Sequence, residues 1–241
     1  MSMLLGHNIF KENLDDLNFL YVRLINTINP HSYCISKKDK QFENALKASD
    51  ILLPDGIGIV WAERMLNGNR INKIAGYDVF MFLMKKADTD SAKVFFLGAS
   101  QDTLNKIATR AKQDFPNVTV FNFAPPYKTI FTKEDSEFMC AKVNAIQPDI
   151  LFVGMTAPKQ EKWVFENKDS IIANTICSIG AVFDFYAGTV KRPSNFWISL
   201  GLEWLPRLLQ EPKRLAKRNF VSTPKFILEV LWFKLFGKGI L

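Results

Sequence analysis

Asp55 is the carboxylate in this sequence whose surroundings best suit acid–base chemistry. It stands between Pro54 and Gly56, directly after the apolar run Ile51-Leu52-Leu53. Such a run predicts a buried strand, and ligands of α/β proteins bind where strands end, so Asp55 could act as a general base. The same side chain could instead cap a helix that begins near Gly58. Spacing alone leaves both interpretations open.

The other aspartates are less well suited to chemistry. Asp88-Thr89-Asp90 matches a D-x-D pattern that holds divalent metal ions in many sugar-nucleotide transferases. It lies in a polar run before a predicted strand, at the wrong end for a ligand, and we interpret it as a solvated turn. Asp149 and Asp184 are interpreted as structural. The chain has only His7 and His31, and no His/Cys cluster has zinc-site spacing, so the sequence predicts no bound metal.

Glycine-bearing turns follow four of the apolar runs and lead into helical patterns. These turns contain Gly56, Gly98 with Ala99, Gly154, and Gly180. Glycine lets a phosphate group approach backbone N–H groups, and a helix N-terminus adds positive potential. After Gly154, Pro158 suits the first helical position and Lys159 could meet a diphosphate. Tight strand-to-helix turns need glycine anyway, but together they indicate nucleotide binding. No G-x-G-x-x-G string or P-loop is present, which argues against NAD and ATP.

Short apolar runs alternate with helical patterns over most of the chain. The predicted strands are 51–53, 94–97, 118–123, 150–153 and 176–179. The predicted helices are 11–26, 39–48, 58–66, 77–86, 101–115, 133–146 and 158–167. This alternation predicts an α/β fold with a Rossmann-like parallel sheet flanked by helices.

Charge divides the chain into two predicted units. The 241 residues are 48% hydrophobic, enough for one sizeable core, and carry a net charge of +7. Residues 191–241 contain ten of the 31 basic residues but only three of the 24 acidic ones, which leaves 21 of each sign in residues 1–190. We therefore predict a neutral α/β catalytic core over 1–190 and a basic, aromatic-rich helical appendage over 191–241.

The appendage has the pattern of two amphipathic helices, 203–218 and 224–238, in which basic and aromatic residues interleave. Three interpretations are open: docking on an anionic membrane surface, packing on the core, and binding of nucleic acid. No apolar stretch is long enough to predict a transmembrane helix, and no signal peptide is recognisable. Scattered cysteines (Cys34, Cys140 and Cys177) indicate buried thiols in a reducing cytoplasm.

Several strings in the sequence resemble, in order, the motifs of one family. They are Thr27-Ile28-Asn29, the 53–58 string LPDGIG, the 75–78 string AGYD, the 96–99 string FLGA, the 148–154 string PDILFVG, the 158–161 string PKQE, the 180–185 string GAVFDF and the 201–205 string GLEWL. With the arginines that follow, they span residues 27–218. The combination is similar to the WecG/TagA/CpsF family of bacterial glycosyltransferases (glycosyltransferase family 26).

The resemblance implies an inverting, metal-independent transfer that uses no cofactor. The implied donor is a UDP-sugar carrying N-acetylmannosamine, its uronic acid or a related hexose, and the implied acceptor is linked to undecaprenyl diphosphate. Other family members transfer glucose or related sugars in exopolysaccharide synthesis. The resemblance also implies a cytoplasmic protein peripheral on the inner face of the bacterial membrane, and self-association through the core.

The resemblance also assigns roles to residues. Asp55 would be the base, Thr27 and Asn29 would orient a sugar, and Gln160 would contact the sugar or diphosphate. The remaining substrate-binding candidates are Gly56, Lys73, Gly98, Ala99, Tyr127, Gly154, Pro158, Lys159 and Glu161, with Tyr127 placed against the nucleotide. Family members often have Arg where this chain has Lys73, and Arg70 could substitute for it.

The resemblance favours the membrane interpretation of the appendage over nucleic acid. Arg207, Arg214 and Arg218 would meet the diphosphate of the acceptor, and the other bases would face anionic lipid. Two alternatives from other classes are a non-catalytic, membrane-peripheral nucleotide-binding module and an NAD-dependent dehydrogenase. Intact Asp55, Asn29 and Gln160 argue against the first, and the missing dinucleotide fingerprint argues against the second.

Overall fold

Six strands form one parallel sheet at the centre of the protein. The computed structural model describes residues 1–17, 22–194, 196–197 and 201–237. The sheet contains β3 (Leu24–Ile28), β4 (Ile51–Pro54), β5 (Lys93–Gly98), β6 (Thr119–Phe123), β7 (Ile150–Gly154) and β8 (Thr175–Ser178), in the order β4-β3-β8-β7-β5-β6. An antiparallel hairpin of β1 (Ser2–Leu4) and β2 (His7–Ile9) precedes it. The predicted parallel α/β sheet is confirmed.

Helices cover both faces of this sheet. They are α1 (Pro30–Ser36), α2 (Lys40–Lys47), α3 (Ile57–Asn67), α4 (Gly76–Thr89), α5 (Gln101–Asp114), α6 (Lys133–Asn144), α7 (Lys159–Asn167), α8 (Val182–Ala187), α9 (Trp204–Gln210), α10 (Pro212–Lys217) and α11 (Thr223–Phe236). A 3₁₀ turn spans Leu14–Asp16 and a π-helical turn spans Arg218–Ser222. The helices predicted between residues 39 and 167 are present, with ends within three residues.

The predicted helix over 11–26 is wrong. Its first part forms only one 3₁₀ turn, residues 18–21 lie outside the described residues, and Leu24–Ile28 is the strand β3. This strand pairs with β4 on one side and β8 on the other. Leu24, Ile25 and Ile28 are buried because helices cover both faces of the sheet. A strand buried on both faces reads as a continuous apolar run, which periodicity does not separate from a helix.

Aromatic side chains fill the layer between the sheet and α4 and α8. The ring of Phe80 on α4 lies 5.1 Å from that of Phe152 on β7 and 4.8 Å from that of Tyr186 on α8. Phe96 on β5 stacks on Phe152 at 5.5 Å. All four side chains are buried. This packing fixes the central strands and therefore the positions of their carboxyl ends.

The last helix packs on the core with one face and is exposed on the other. Phe226 and Val230 of α11 are fully buried in a cluster that includes Ile28 and Tyr33. The opposite face exposes large apolar side chains, among them Leu228, Trp232, Leu235 and Phe236. The core-packing interpretation is therefore confirmed for one face of α11, and docking of the other face on a membrane stays a prediction.

The helices of the appendage (residues 191–241) are more interrupted than the sequence pattern predicts. The predicted helix 203–218 is divided at Glu211, because a residue that precedes proline disfavours the helical conformation. The predicted helix 224–238 corresponds to α11, and residue 238 lies outside the described residues. No helix in the described ranges is long and apolar enough to span a bilayer. The division into units 1–190 and 191–241 stays a prediction.

Candidate active site

Asn29 and Asp55 meet at the carboxyl edge of the sheet. Ile28 ends β3 and Pro54 ends β4, and these two residues are paired in register. Asn29 and Asp55 follow directly, and Asn29 Nδ2 donates to Asp55 Oδ2 at 3.4 Å. The backbone N–H of Asp55 donates to Ile28 O at 2.8 Å, which ties the two strand ends together. Thr27, two residues before Asn29, is half-buried.

A helix cap sets the orientation of the Asn29 amide. Its Oδ1 accepts from the backbone N–H groups of His31 and Ser32, both at 3.0 Å, and caps α1. Because the oxygen is held by the helix N-terminus, the NH₂ group of the same amide is directed at Asp55. The local rule that starts α1 therefore also aims a donor at the candidate base.

Asp55 does not cap a helix. The N-cap of α3 is Gly56, whose backbone has φ +99° and which carries no side chain to form a cap bond. A Cβ at Gly56 would meet nothing within 4 Å, so the space beside it is open. Glycine is favoured here because of the positive φ of the backbone. The capping alternative is wrong, and the Asp55 carboxyl is left available at the sheet edge.

The surroundings of Asp55 make it a stronger base. Burial raises the pKa of its carboxyl above the ordinary value, although the residue keeps some solvent exposure. Arg218 and Arg207 act against this rise, Glu203 adds to it, and the hydrogen bond from Asn29 lowers the pKa. All three charged neighbours belong to the C-terminal segment (residues 191–241). A base with a raised pKa takes a proton more readily near neutral pH.

Lys73 contacts the C-terminal segment. Its Nζ lies 2.8 Å from Glu203 Oε2, and each of the two side chains is only 19% exposed. The predicted phosphate contact of Lys73 therefore competes with an ion pair, while Arg70 lies exposed in the same loop. Burial raises the pKa of Glu203, but the hydrogen bond and charge of Lys73, together with the charges of Arg207 and Arg192, outweigh burial, and the pKa lies below its ordinary value.

The tail arginines lie in different surroundings. The guanidinium of Arg207 lies over the ring of Phe185 at 5.0 Å, on the 180–185 string. Arg218 begins the π-helical turn. The side chain of Arg214 lies outside the described residues. The charges of Arg207 and Arg218 both lower the pKa of Asp55. Their predicted contact with the diphosphate of the acceptor stays a prediction.

Gly98 and Gly154 bring two strand ends into contact. A Cβ at Gly98 would lie 2.2 Å from Gly154 O, and a Cβ at Gly154 would lie 2.5 Å from the ring of Phe183. The backbone N–H of Ala99 donates to Gly154 O at 3.0 Å. Close packing therefore explains both glycines, and the N–H of Ala99 already has an acceptor.

The PKQE turn is held together from within. Gln160 is 4% exposed; its Oε1 accepts from Met155 N at 3.0 Å and its Nε2 donates to Glu161 Oε1 at 2.9 Å. The structure thus places this amide beneath the turn, where it supports the backbone after β7. Pro158 is the N-cap, so α7 begins one residue later than predicted.

Glu161 lies deeper still. It is 3% exposed, and burial raises its pKa to about 7. Its Oε2 is buried and has no hydrogen-bond partner among the described residues. We therefore assign Glu161 to the support of the turn. The predicted substrate contact of Glu161 would need this carboxylate to face the site.

Lys159 and Tyr127 belong to a neighbouring loop contact. Lys159 Nζ donates to the backbone oxygen of Lys128 and lies 3.7 Å from the ring centre of Phe131. It therefore ties the PKQE turn to the loop after β6. Tyr127 stands fully exposed on that loop.

Three residues near the site had no role in the sequence predictions. Glu203 holds Lys73. Arg192 Nη2 lies 3.1 Å from Asp78 Oδ1 and its guanidinium stacks over Tyr77 at 4.1 Å, on the 75–78 string. His31 Nδ1 lies 2.8 Å from Ser222 Oγ. For Glu203, the available signal in the sequence was its position within the 201–205 string.

The remaining aspartates are distant or structural. Asp88 Oδ1 accepts from Asn117 N at 2.8 Å and Asp90 pairs with Lys86, at the opposite edge of the sheet from Asp55. Asp149 Oδ2 accepts from Lys93 N at 2.9 Å. Among the described residues no three His, Cys, Asp or Glu side chains are grouped as metal ligands. Metal independence of the reaction stays a prediction.

Comparison with known proteins matches the sequence of this chain to one family. The family model described as "Glycosyl transferase WecG/TagA/CpsF family" matches residues 12–239. The chain is 33% identical over 205 residues to an N-acetylglucosaminyldiphosphoundecaprenol N-acetyl-beta-D-mannosaminyltransferase of Bacillus spizizenii, covering 85% of this chain and 77% of that protein. It is 31% identical over 208 residues to the protein of the same name from Bacillus subtilis, covering 86% and 78%. A Staphylococcus aureus protein of that name is 25% identical over 204 residues, covering 85% and 78%. The chain belongs to the WecG/TagA/CpsF family of glycosyl transferases.

Proposed function

We propose that this glycosyl transferase moves N-acetylmannosamine or a related hexose from a UDP-sugar to an acceptor linked to undecaprenyl diphosphate. The transfer inverts the anomeric centre, needs no metal ion and serves cell-surface polysaccharide synthesis. The observation that carries the proposal is the placement of Asp55. It lies at the carboxyl edge of the sheet, where Asn29 donates a hydrogen bond to it and the charges of Arg207 and Arg218 lower its pKa. The names of the relatives supply the sugar and the acceptor.

In the proposed reaction Asp55 removes the proton from the acceptor hydroxyl. The hydroxyl oxygen forms a bond to the anomeric carbon of the donor, and the bond from that carbon to the diphosphate oxygen breaks. The electron pair leaves with UDP, and the proton stays on Asp55 until solvent takes it. The raised pKa of Asp55 favours the first step, and Asn29 fixes the carboxylate oxygen.

Positive groups would stabilise the diphosphates. The charges of Arg207 and Arg218 lower the pKa of Asp55, so they act at the strand end where a diphosphate would need them. Lys73 is a weaker candidate because it is already paired with Glu203. The charge supplied by the C-terminal segment takes the place that a metal ion holds in other sugar-nucleotide transferases.

The exposed face of α11 supports attachment to a membrane that contains the acceptor. Leu228 and Leu235 are 59% and 75% exposed, and bases of the same segment would face anionic headgroups. An apolar helix face with flanking bases is typical of proteins that bind the interface of a bilayer. We therefore place the enzyme on the inner face of the cell membrane.

Release of UDP from a panel of UDP-sugars, with a short-chain GlcNAc-diphosphate lipid as acceptor, tests the proposal. UDP-N-acetylmannosamine should be the best donor, and EDTA should not inhibit. Asp55→Asn should lower the rate by about 10²–10⁴-fold with the fold intact by circular dichroism. Asp90→Asn, a change in the exposed D-x-D turn, is the matched control and should retain the rate. Full turnover by Asp55→Asn would exclude Asp55 as the base.

A further inference from the structure

We propose that Lys73 and Glu203 are positioning residues, whose ion pair holds α9 over the active site and keeps Arg207 beside Asp55. The inference rests on the proposed function and adds to it a residue pair that touches neither substrate. A contact between two residues that are 130 positions apart in the chain would then set the surroundings of the base Asp55.

The Lys73 end of the pair is fixed to the site. Lys73 lies in the loop between α3 and α4, and the next residue, Ile74, donates its backbone N–H to Pro54 O at 3.0 Å. Pro54 ends β4 and directly precedes Asp55. The backbone next to Lys73 is therefore hydrogen-bonded to the strand that carries the candidate base, and this bond fixes the position of Lys73 relative to the site.

The Glu203 end of the pair controls α9. Glu203 is the N-cap of α9, and Arg207 follows four residues later on the same face of the helix. Holding the Glu203 carboxylate therefore limits where the guanidinium of Arg207 can lie. Arg207 also contacts Phe185, so two contacts on this face direct the helix toward the core.

Packing alone holds α9 weakly. The structure describes all seven residues of α9, and none of them is buried. By contrast α11 buries Phe226 and Val230, and His31 bonds Ser222 at the end of the π-helical turn that begins with Arg218. Loss of the ion pair should therefore release α9 and Arg207, while Arg218 keeps its place.

The pair is also unlike most ion pairs of this protein. Lys86–Asp90 and Lys106–Asp102 each join residues on one turn of an exposed helix, with side chains about half exposed or more. Such pairs contribute little because water screens them. The Lys73–Glu203 pair is less exposed and joins two distant segments of chain, so its loss has a structural consequence.

Glu203 has two effects on Asp55, and they have opposite signs. Directly, its negative charge raises the pKa of Asp55. Indirectly, by holding α9, it keeps the positive charge of Arg207 near Asp55, which lowers that pKa. The other groups that face Asp55 are Arg218 and Asn29, both of which lower the pKa and neither of which is held by Lys73. Glu203→Gln removes both effects at once, so they are separated by combining it with Arg207→Gln in a double-mutant cycle.

The acid limb of the pH–rate profile measures the result. If the ion pair holds Arg207 in place, Arg207→Gln should move the limb upward by roughly half a pH unit in the otherwise wild-type protein and should not move it in Glu203→Gln, where Arg207 has already left. If Glu203 acts only through its own charge, Arg207→Gln should move the limb by the same amount in both proteins. Equal shifts in the two proteins overturn the proposal.

Hydrogen exchange of the full-length protein gives a readout that does not depend on activity. Glu203→Gln and Lys73→Met should speed exchange of the α9 amides by about fivefold, the change that about 1 kcal/mol makes. The charge exchange Lys73→Glu with Glu203→Lys should restore the slow rate. The control is Lys162→Met, which removes a pair with Asp39 of similar exposure on the core and should leave α9 unchanged.

The two readouts separate the failure of this inference from the failure of the proposed function. If the wild-type protein transfers no sugar, the exchange measurements still test whether the pair holds α9. If transfer is present but α9 exchanges equally fast in all variants, the ion pair does not hold the helix and the inference is wrong.

Discussion

Glu161 should make this protein less stable as the pH rises through neutrality. Its carboxyl is 3% exposed, one of its oxygens has no hydrogen-bond partner among the described residues, and burial raises its pKa from 4.5 to about 7. Below about pH 4.5 both the folded and the unfolded chain hold this proton, and stability does not depend on it. Above that pH the unfolded chain releases the proton while the folded chain retains it, so unfolding becomes more favourable.

The size of the effect follows from the pKa. The difference between 4.5 and about 7, at about 1.4 kcal/mol per unit, gives roughly 3 kcal/mol, reached once the pH exceeds the folded-state value. Glu161→Gln keeps an oxygen that can accept the bond from Gln160 and removes the ionisation. The variant should therefore match the wild type near pH 4 and exceed it by roughly 3 kcal/mol near pH 8.5.

Urea denaturation of both proteins across this pH range measures the difference. Glu166→Gln, a change at an exposed position of the same helix, is the control and should follow the wild-type pH dependence. If the wild type and Glu161→Gln lose stability in parallel from pH 4 to pH 8.5, Glu161 is not a buried titrating group and the reasoning is refuted.

Three further predictions concern the site and the tail. Asn29→Asp keeps the cap of α1 but places a like charge beside Asp55, so the acid limb of the pH–rate profile should rise by roughly one unit at similar thermal stability. Gly154→Ala forces a methyl group against the ring of Phe183 and should lower stability by about 1–3 kcal/mol in urea; unchanged stability would contradict that contact. Leu235→Ser should weaken binding to anionic vesicles by about tenfold in a sedimentation assay without changing the melting temperature, since the side chain is 75% exposed.

Most of the sheet follows from local signals in the sequence. Strands β4 to β8 are short apolar runs bounded by Asp, Gly or Pro, and helices with clear caps such as Ser100 and Thr132 separate them. Strand β3 escaped prediction because Leu24, Ile25 and Ile28 also fit a helical spacing. Only pairing with β4 and β8, a tertiary interaction, decides between the two.

The site was predictable where its residues belong to the strand ends and not where it depends on distant contacts. Asp55 and Asn29 are adjacent because each follows one of two paired strands. By contrast, the partner of Lys73 lies 130 residues away, and no spacing rule predicts it. The family resemblance suggested a ligand role for Gln160, whereas the structure buries its amide between the backbone N–H of Met155 and the carboxylate of Glu161.

The double use of Asn29 restricts which residue this position accepts. Ser, Thr, Asp and Asn all cap helices well, and for α1 alone any of them would serve. Asp and the hydroxyl side chains lack a second, separate donor that can reach a carboxylate while the cap oxygen stays in place. The hydrogen bond to Asp55 thus leaves Asn as the one residue of these four that can both cap α1 and donate to the carboxylate.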